Sequence, residues 1–199
     1  MTRNDFIKKL EEYIGVTQGS DAHTAICIKY NSLPAIPRGY KLTTSDPWCA
    51  AFVSAMWWTF NHQFWFPYEC SCTQMVRLAK QEGRFYKDPV IEVGWLVLYD
   101  WERDNSPDHV GFITKDNTST FDVIEGNYSG AVRRRTVQAD SRTIYGTIKL
   151  DYSNSEVEDA KSFVTKNQIM LGDGTDTYWQ KPPTREQLAT ILYRYHNKT

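Results

Sequence analysis

The chain lacks any apolar run near the ~20 residues a bilayer-spanning helix needs, which excludes a helical membrane span. It also lacks net charge. Lys and Arg number 23 and Asp and Glu 24, for a formal −1, so bulk electrostatics exerts no pull toward nucleic acid or anionic lipid. The N-terminal Met1-Thr2-Arg3-Asn4-Asp5 leads into an amphipathic segment without the apolar core of a secretory signal, as expected of a protein made in a cytoplasm. Cysteine is sparse, with four residues at 27, 49, 70 and 72. Cys70-Ser71-Cys72 is too tightly spaced for the C-x-x-C zinc and redox motifs, so no disulfide framework is expected. Cys27, Cys70 and Cys72 read as structural thiols. Internal repeats and low-complexity segments are absent as well. What is present is material for a core: 41% hydrophobic residues, 14% of the total aromatic, in 199 residues, enough for one ordinary domain and a small appendage.

The stretch that stands out is Ser45-Asp46-Pro47-Trp48-Cys49-Ala50-Ala51-Phe52-Val53. Asp46 is a preferred N-cap and Pro47 suits the first helical position. Trp48, Phe52, Val53, Met56 and Phe60 then recur at helical spacing, predicting a helix to about Asn61. Cys49 falls in its first turn, where backbone N–H groups lack partners and the helix dipole is positive. That setting favours thiolate over thiol and makes Cys49 a candidate nucleophile, against the plain alternative of a buried structural cysteine.

Elsewhere, Thr2 caps an expected first helix with Phe6, Leu10, Tyr13 and Ile14 on one face and Gly15 as its stop. Residues 16–45 read as loop, broken by Gly19, Pro34, Pro37 and Gly39, with His23 an exposed loop residue. A third helix is expected over Ser71 to Gln81, with Met75, Leu78 and Ala79 inward. His62 sits favourably at the end of the Cys49 helix. The period then changes. Strands are expected at Gly94–Tyr99, His109–Thr114, Thr120–Glu125, Val132–Val137 and Ile144–Leu150, with short connections. Helices followed by antiparallel strands predict an α+β fold, N-terminal helices packed on an antiparallel sheet, over residues 1–150. Residues 151–155 read as a linker and 156–199 as a small helical tail. In that tail Thr184 and Gln187 form a capping box ahead of Leu188, Ile191, Leu192 and Tyr195.

A hairpin centred on Asn117-Thr118 sets Ile113 opposite Phe121 and His109 opposite Glu125, where Cβ atoms approach to about 5 Å. Asn127 lies two residues further. An imidazole beside a carboxylate, together with a helix-borne cysteine, is the nucleophile–base–orienter set of covalent catalysis. Taken singly, a strand histidine is more often structural and a cross-strand His–Glu pair an ordinary contact.

Three segments, Asp46-Pro47-Trp48-Cys49-Ala50-Ala51-Phe52-Val53, Asp108-His109-Val110-Gly111 and Ile124-Glu125-Gly126-Asn127, resemble the cysteine, histidine-dependent amidohydrolase/peptidase (CHAP) family. Gly94-Trp95-Leu96-Val97-Leu98-Tyr99-Asp100 resembles that family's glycine-led strand before the histidine. The resemblance implies a papain-like CHAP fold and cleavage of peptidoglycan, at the muramoyl–L-alanine amide or within the stem or cross-bridge peptide. It implies Cys49 as nucleophile, His109 as base and Glu125 with Asn127 as orienting groups, acting through a thioester. The Cys49 N–H would be one donor of an oxyanion hole, and Trp48 and Trp95, inside the matching segments, are candidate substrate-binding residues. No cofactor is required by this chemistry. The tail, with Gly172-Asp173-Gly174 and Thr184-Arg185-Glu186-Gln187, resembles part of an S-layer homology repeat, which implies a secondary cell-wall polymer as a partner.

Between the first two strands, Asp100, Glu102, Asp104 and Asp108 take relative positions 1, 3, 5 and 9, like the start of an EF-hand calcium loop. Asn105 replaces the turn glycine and Phe112 the closing glutamate, so a solvated acidic loop is the alternative to a calcium site. Arg133-Arg134-Arg135 lies in a strand whose successive side chains alternate faces, so it forms no continuous patch for nucleic acid. The sequence thus predicts a cysteine-dependent hydrolase of Gram-positive peptidoglycan, endolysin-like. The alternative is a wall-binding or phage assembly module on the same fold that has lost activity, a reading that leaves Cys49, His109 and Glu125 without a purpose.

Overall fold

Helix α1 (Arg3–Glu11) is capped by Thr2, whose hydroxyl accepts from the Asp5 N–H at 3.2 Å. Its Phe6 and Leu10 are fully buried, whereas Ile14, expected on the same face, is 41% exposed beyond the helix end. The computed structural model describes residues 1–153; the tail assigned to 156–199 lies outside the described residues. Residues 1–152 form one compact unit, in which Tyr152 donates its hydroxyl to the Gly94 carbonyl at 2.6 Å.

The segment expected to be loop contains a second helix, α2 (Asp21–Asn31), capped by Ser20. Its buried positions, His23, Ile26, Cys27 and Tyr30, follow the i, i+3, i+4, i+7 rule once the histidine is counted as a core residue. His23 is completely buried rather than exposed. Its Nδ1 accepts from the Gly19 N–H at 3.0 Å, its Nε2 lies 3.7 Å from the Cys27 sulfur, and its ring packs 4.5 Å from that of Trp48. Burial holds this imidazole below its ordinary pKa and so neutral, as a core residue should be.

Helix α3 (Cys49–Asn61) is the hub, buried along most of its length, and α4 (Cys72–Gln81) follows with Ser71 as its cap. Met75 and Ala79 face inward as expected, and Leu78 is only partly covered. Strands β1 (Phe85–Tyr86), β2 (Leu96–Tyr99), β3 (His109–Asp116), β4 (Thr120–Tyr128), β5 (Ala131–Gln138) and β6 (Ile144–Ile148) form one antiparallel sheet in the order β1-β6-β2-β3-β4-β5. The fold is therefore α+β, four helices and a six-stranded antiparallel sheet among the described residues. The two-residue β1 escaped sequence pattern because two residues carry no period.

Alternation splits the sheet into two faces. Leu96, Leu98, Val110, Phe112, Ile124 and Val132 meet the helices around an aromatic nest in which the Trp57 and Phe112 rings each lie within about 5 to 6.5 Å of those of Phe6 and Phe66. Val97, Tyr99, Ile113, Phe121, Val123 and Val137 form a smaller cluster on the opposite face. Helix and sheet approach closely at Gly126, where an added Cβ would stand 2.4 Å from the Phe52 Cβ.

Candidate active site

The cysteine helix starts later than its sequence signals indicate. Trp48, not Asp46, occupies the cap position, and Cys49 is the first helical residue. Asp46 closes the preceding loop instead, its carboxylate accepting from the Thr43 N–H (2.6 Å), the Thr43 hydroxyl (2.7 Å) and the Tyr40 hydroxyl (2.8 Å). The shift brings the sulfur closer to the unpartnered N–H groups of the first turn. Cys49 is buried but retains 8% exposure. Three polar groups interact with its sulfur: the Cys72 thiol, the His109 imidazole and the Ala50 N–H. The Cys72 Sγ is 3.9 Å away, and the Asp108 carbonyl oxygen 4.0 Å.

These contacts hold the Cys49 thiol well below its ordinary pKa. The hydrogen bond from Cys72 contributes most, burial opposes it, and the hydrogen bond and charge of His109 and the Ala50 N–H add to the lowering. Cys72 is pushed well above its ordinary value by the same hydrogen bond, by burial and by the charges of Cys49 and Asp108. Of the pair, Cys49 is the sulfur that ionises, because the imidazole stabilises its anion.

His109 opens strand β3 opposite Tyr99 of β2 and is 3% exposed. Its Nε2 lies 3.8 Å from Glu125 Oε1 and makes no hydrogen bond among the described residues, so Nδ1 is the ring nitrogen left for the sulfur. Trp101 stacks on the imidazole at 4.7 Å and 25°, and Tyr99 and Tyr128 flank it with ring centres 6.1 Å away. The ring is thus oriented by aromatic walls as well as by the carboxylate.

The hairpin that delivers Glu125 is in a different register from the one expected. Ile113 pairs with Val123 rather than Phe121, and Phe112 with Ile124, before a bulge near Thr114. Continued along the strands, this register sets Glu125 across from Gly111 and not from His109. The slip is of two residues, so Glu125 stays on the histidine's face; a slip of one would have turned it away. Gly111 makes the diagonal contact possible, since a Cβ there would fall 2.4 Å from Glu125 Cγ. Glu125 is fully buried and held by Arg135 through two bonds, Nε to Oε2 at 2.6 Å and Nη2 to Oε1 at 2.9 Å. The same register carried two residues further sets Asn127 across from His109. It sits at φ +60° where the β4–β5 ladder loses register, and its side chain makes no hydrogen bond among the described residues.

Arg135 is the site residue that sequence reasoning missed, although its place in an Arg-Arg-Arg run across from β4 was a usable signal. The run separates as alternation requires: Arg133 donates to the Tyr128 carbonyl, Arg134 pairs with Glu11, and Arg135 turns to Glu125. Both tryptophans pack within the fold. Trp48 is completely buried between His23 and Phe52. Trp95 stacks on Tyr86 at 5.3 Å, at the end of β2 remote from Tyr99 and His109. The acidic loop spends its carboxylates on its own backbone. Asp100 accepts from the N–H groups of Asp104 and Asn105, Asp104 from that of Ser106, and Asp108 from that of Trp101 at 2.7 Å. Glu102 is exposed, and among the described residues no three His, Cys, Asp or Glu side chains converge as a metal ion would require. The calcium pattern is therefore a loop-folding pattern, and its donors do not fit an ion. Among the described residues, no helix is long and apolar enough to cross a membrane.

Residues 39–127 match the family model described as the CHAP domain. Over that segment the chain is similar to the CHAP domain. The matched segment contains the cysteine, the histidine and the glutamate just described and ends at Asn127. A CHAP domain implies peptidoglycan amidase or peptidase activity, dependent on cysteine and histidine. Comparison with curated proteins and with solved structures found no match for this chain.

Proposed function

We propose that the protein is an endolysin-type hydrolase that cuts an amide bond of Gram-positive peptidoglycan, as an N-acetylmuramoyl-L-alanine amidase or a stem or cross-bridge endopeptidase. The reading is carried by one observation: a sulfur at the first position of a helix, in contact with an imidazole that a buried carboxylate backs. The Cys49 thiolate attacks the amide carbon, forming the C–S bond and moving the carbonyl electron pair onto oxygen. The Cys49 N–H at the helix start supports that oxyanion. Protonated His109 gives its proton to the departing nitrogen as the C–N bond breaks and a thioester remains. Water then loses a proton to His109 and attacks, the C–S bond breaks, and a carboxylic acid leaves with the thiolate regenerated. Glu125 orients the ring. The tail, residues 156–199, is the proposed contact with secondary cell-wall polymer.

The test is Cys49→Ala on purified Gram-positive walls, followed by turbidity and by mass spectrometry of released muropeptides. Loss of at least about a thousandfold in rate is expected, as for removal of other covalent nucleophiles, with circular dichroism unchanged. Clearing at the wild-type rate by this variant refutes the proposal. The masses of the wild-type products assign the bond.

A further inference from the structure

Two helices begin side by side in this site. Cys49 is the first residue of α3 and Cys72 the first residue of α4. A buried clamp sets the two starts against each other. The Ser54 hydroxyl, in α3, donates to the Glu69 carbonyl at 2.7 Å and accepts from the Glu69 N–H at 3.1 Å, three residues before Cys72. Arg38 secures the Glu69 carboxylate from the other side, at 2.9 and 3.1 Å. The outcome is a sulfur–sulfur separation of 3.9 Å, with Cys72 6% exposed. The hydrolytic steps above use the imidazole and the first-turn N–H groups; they leave this second thiol without a role.

We propose that Cys72 is a positioning residue for the nucleophile, its S–H donating to the Cys49 thiolate and holding that sulfur in place against His109. The proposal rests on Cys49 being the nucleophile. A thiol is a weak donor, but at a largely buried sulfur a weak bond to an anion counts for more than it does in solution. The other titratable groups facing the sulfurs are His109 on β3, which competes for the same anion, and Asp108, whose carbonyl is 4.0 Å from Cys49 Sγ and whose carboxylate is engaged by the Trp101 N–H. An anionic Cys72 beside Asp108 would be doubly disfavoured, so the proton stays on Cys72 and the charge on Cys49. The contribution falls on thiolate population. Below the Cys49 midpoint the thiolate is lost as pH falls, and removing the donor moves that midpoint up.

The experiment measures the rate of Cys49 carbamidomethylation by iodoacetamide against pH in the full chain, with each cysteine followed by peptide mass mapping. Cys72→Ala is expected to raise the Cys49 midpoint by about one pH unit, a tenfold fall in thiolate at any lower pH. Cys72→Ser keeps a donor and is expected to restore most of the shift, a rescue that mere filling of space does not give. An unshifted midpoint in Cys72→Ala overturns the proposal. So does faster alkylation of Cys72 than of Cys49 in the wild type, a comparison that needs no substitution and holds even where a variant does not fold. Because alkylation and not lysis is read, an unshifted midpoint alongside an inactive Cys49→Ala overturns the role of Cys72 alone.

Discussion

Replacing Arg135 with methionine removes the cation that faces Glu125 while keeping most of the apolar stem. In the wild type the carboxylate is fully buried and both its oxygens accept from the guanidinium, at 2.6 and 2.9 Å. Without Arg135 that charge keeps the imidazole, 3.8 Å away and outside hydrogen-bonding distance, and the neighbouring Tyr99 hydroxyl. Breaking a buried ion pair from one side costs about 3–5 kcal/mol. Here the Arg135 side chain is 23% exposed, so water can reach the vacated end and the lower figure applies, about 3 kcal/mol. With a urea dependence near 2 kcal/mol per M, the unfolding midpoint of Arg135→Met should fall by roughly 1.5 M. Glu125→Gln in the same chain removes the orphaned charge, and the double variant should lose less than the sum of the single losses by about 1–3 kcal/mol. A midpoint within about 0.3 M of wild type, or strict additivity in the cycle, would show that the pair carries no such weight.

Gly111→Ala introduces a Cβ 2.4 Å from Glu125 Cγ and must push the carboxylate aside. It should cost about 1–3 kcal/mol in urea unfolding and, through the displaced orienting group, about a hundredfold in lysis rate. If lysis is untouched, Glu125 does not orient the base. Since the acidic loop uses its carboxylates on its own N–H groups, millimolar calcium and excess chelator should leave the melting temperature within about 1 °C, the outcome for an ion that does not bind the native state. A larger calcium-dependent rise would return an ion to that loop.

The parts of this molecule legible in its sequence are those where one local signal dominates. Long period-3.6 and period-2 runs disclosed α3, α4 and five strands, and the joint order of cysteine, histidine and glutamate disclosed the site. What escaped depended on tertiary context. Helix α2 was hidden because His23, polar by composition, is a core residue that completes the apolar stripe of Ile26, Cys27 and Tyr30. Asp46 has the chemistry of a helix cap, but its carboxylate is taken up by Thr43 and Tyr40, and the helix starts at Cys49 without it. Trp48 sits beside the nucleophile in the chain and behind it in space. The hairpin register escaped because a bulge carries no residue signature of its own; the parity of the pattern survived, and with it the meeting of Glu125 and His109. Arg135 could not be singled out from its two neighbours until the sheet assigned each arginine a different partner.

The bare meeting of Phe52 with Gly126 has a consequence for how this site tolerates change. Cys49 rides one turn ahead of Phe52, and Glu125 immediately precedes the glycine, so the gap between sulfur carrier and carboxylate carrier is gauged by main chain against a single ring stem. Neighbouring packing residues can shrink, swell or be exchanged and soften the domain without opening that gap. Transplanting the reactive trio to another scaffold would therefore fail unless the same naked crossing came with it.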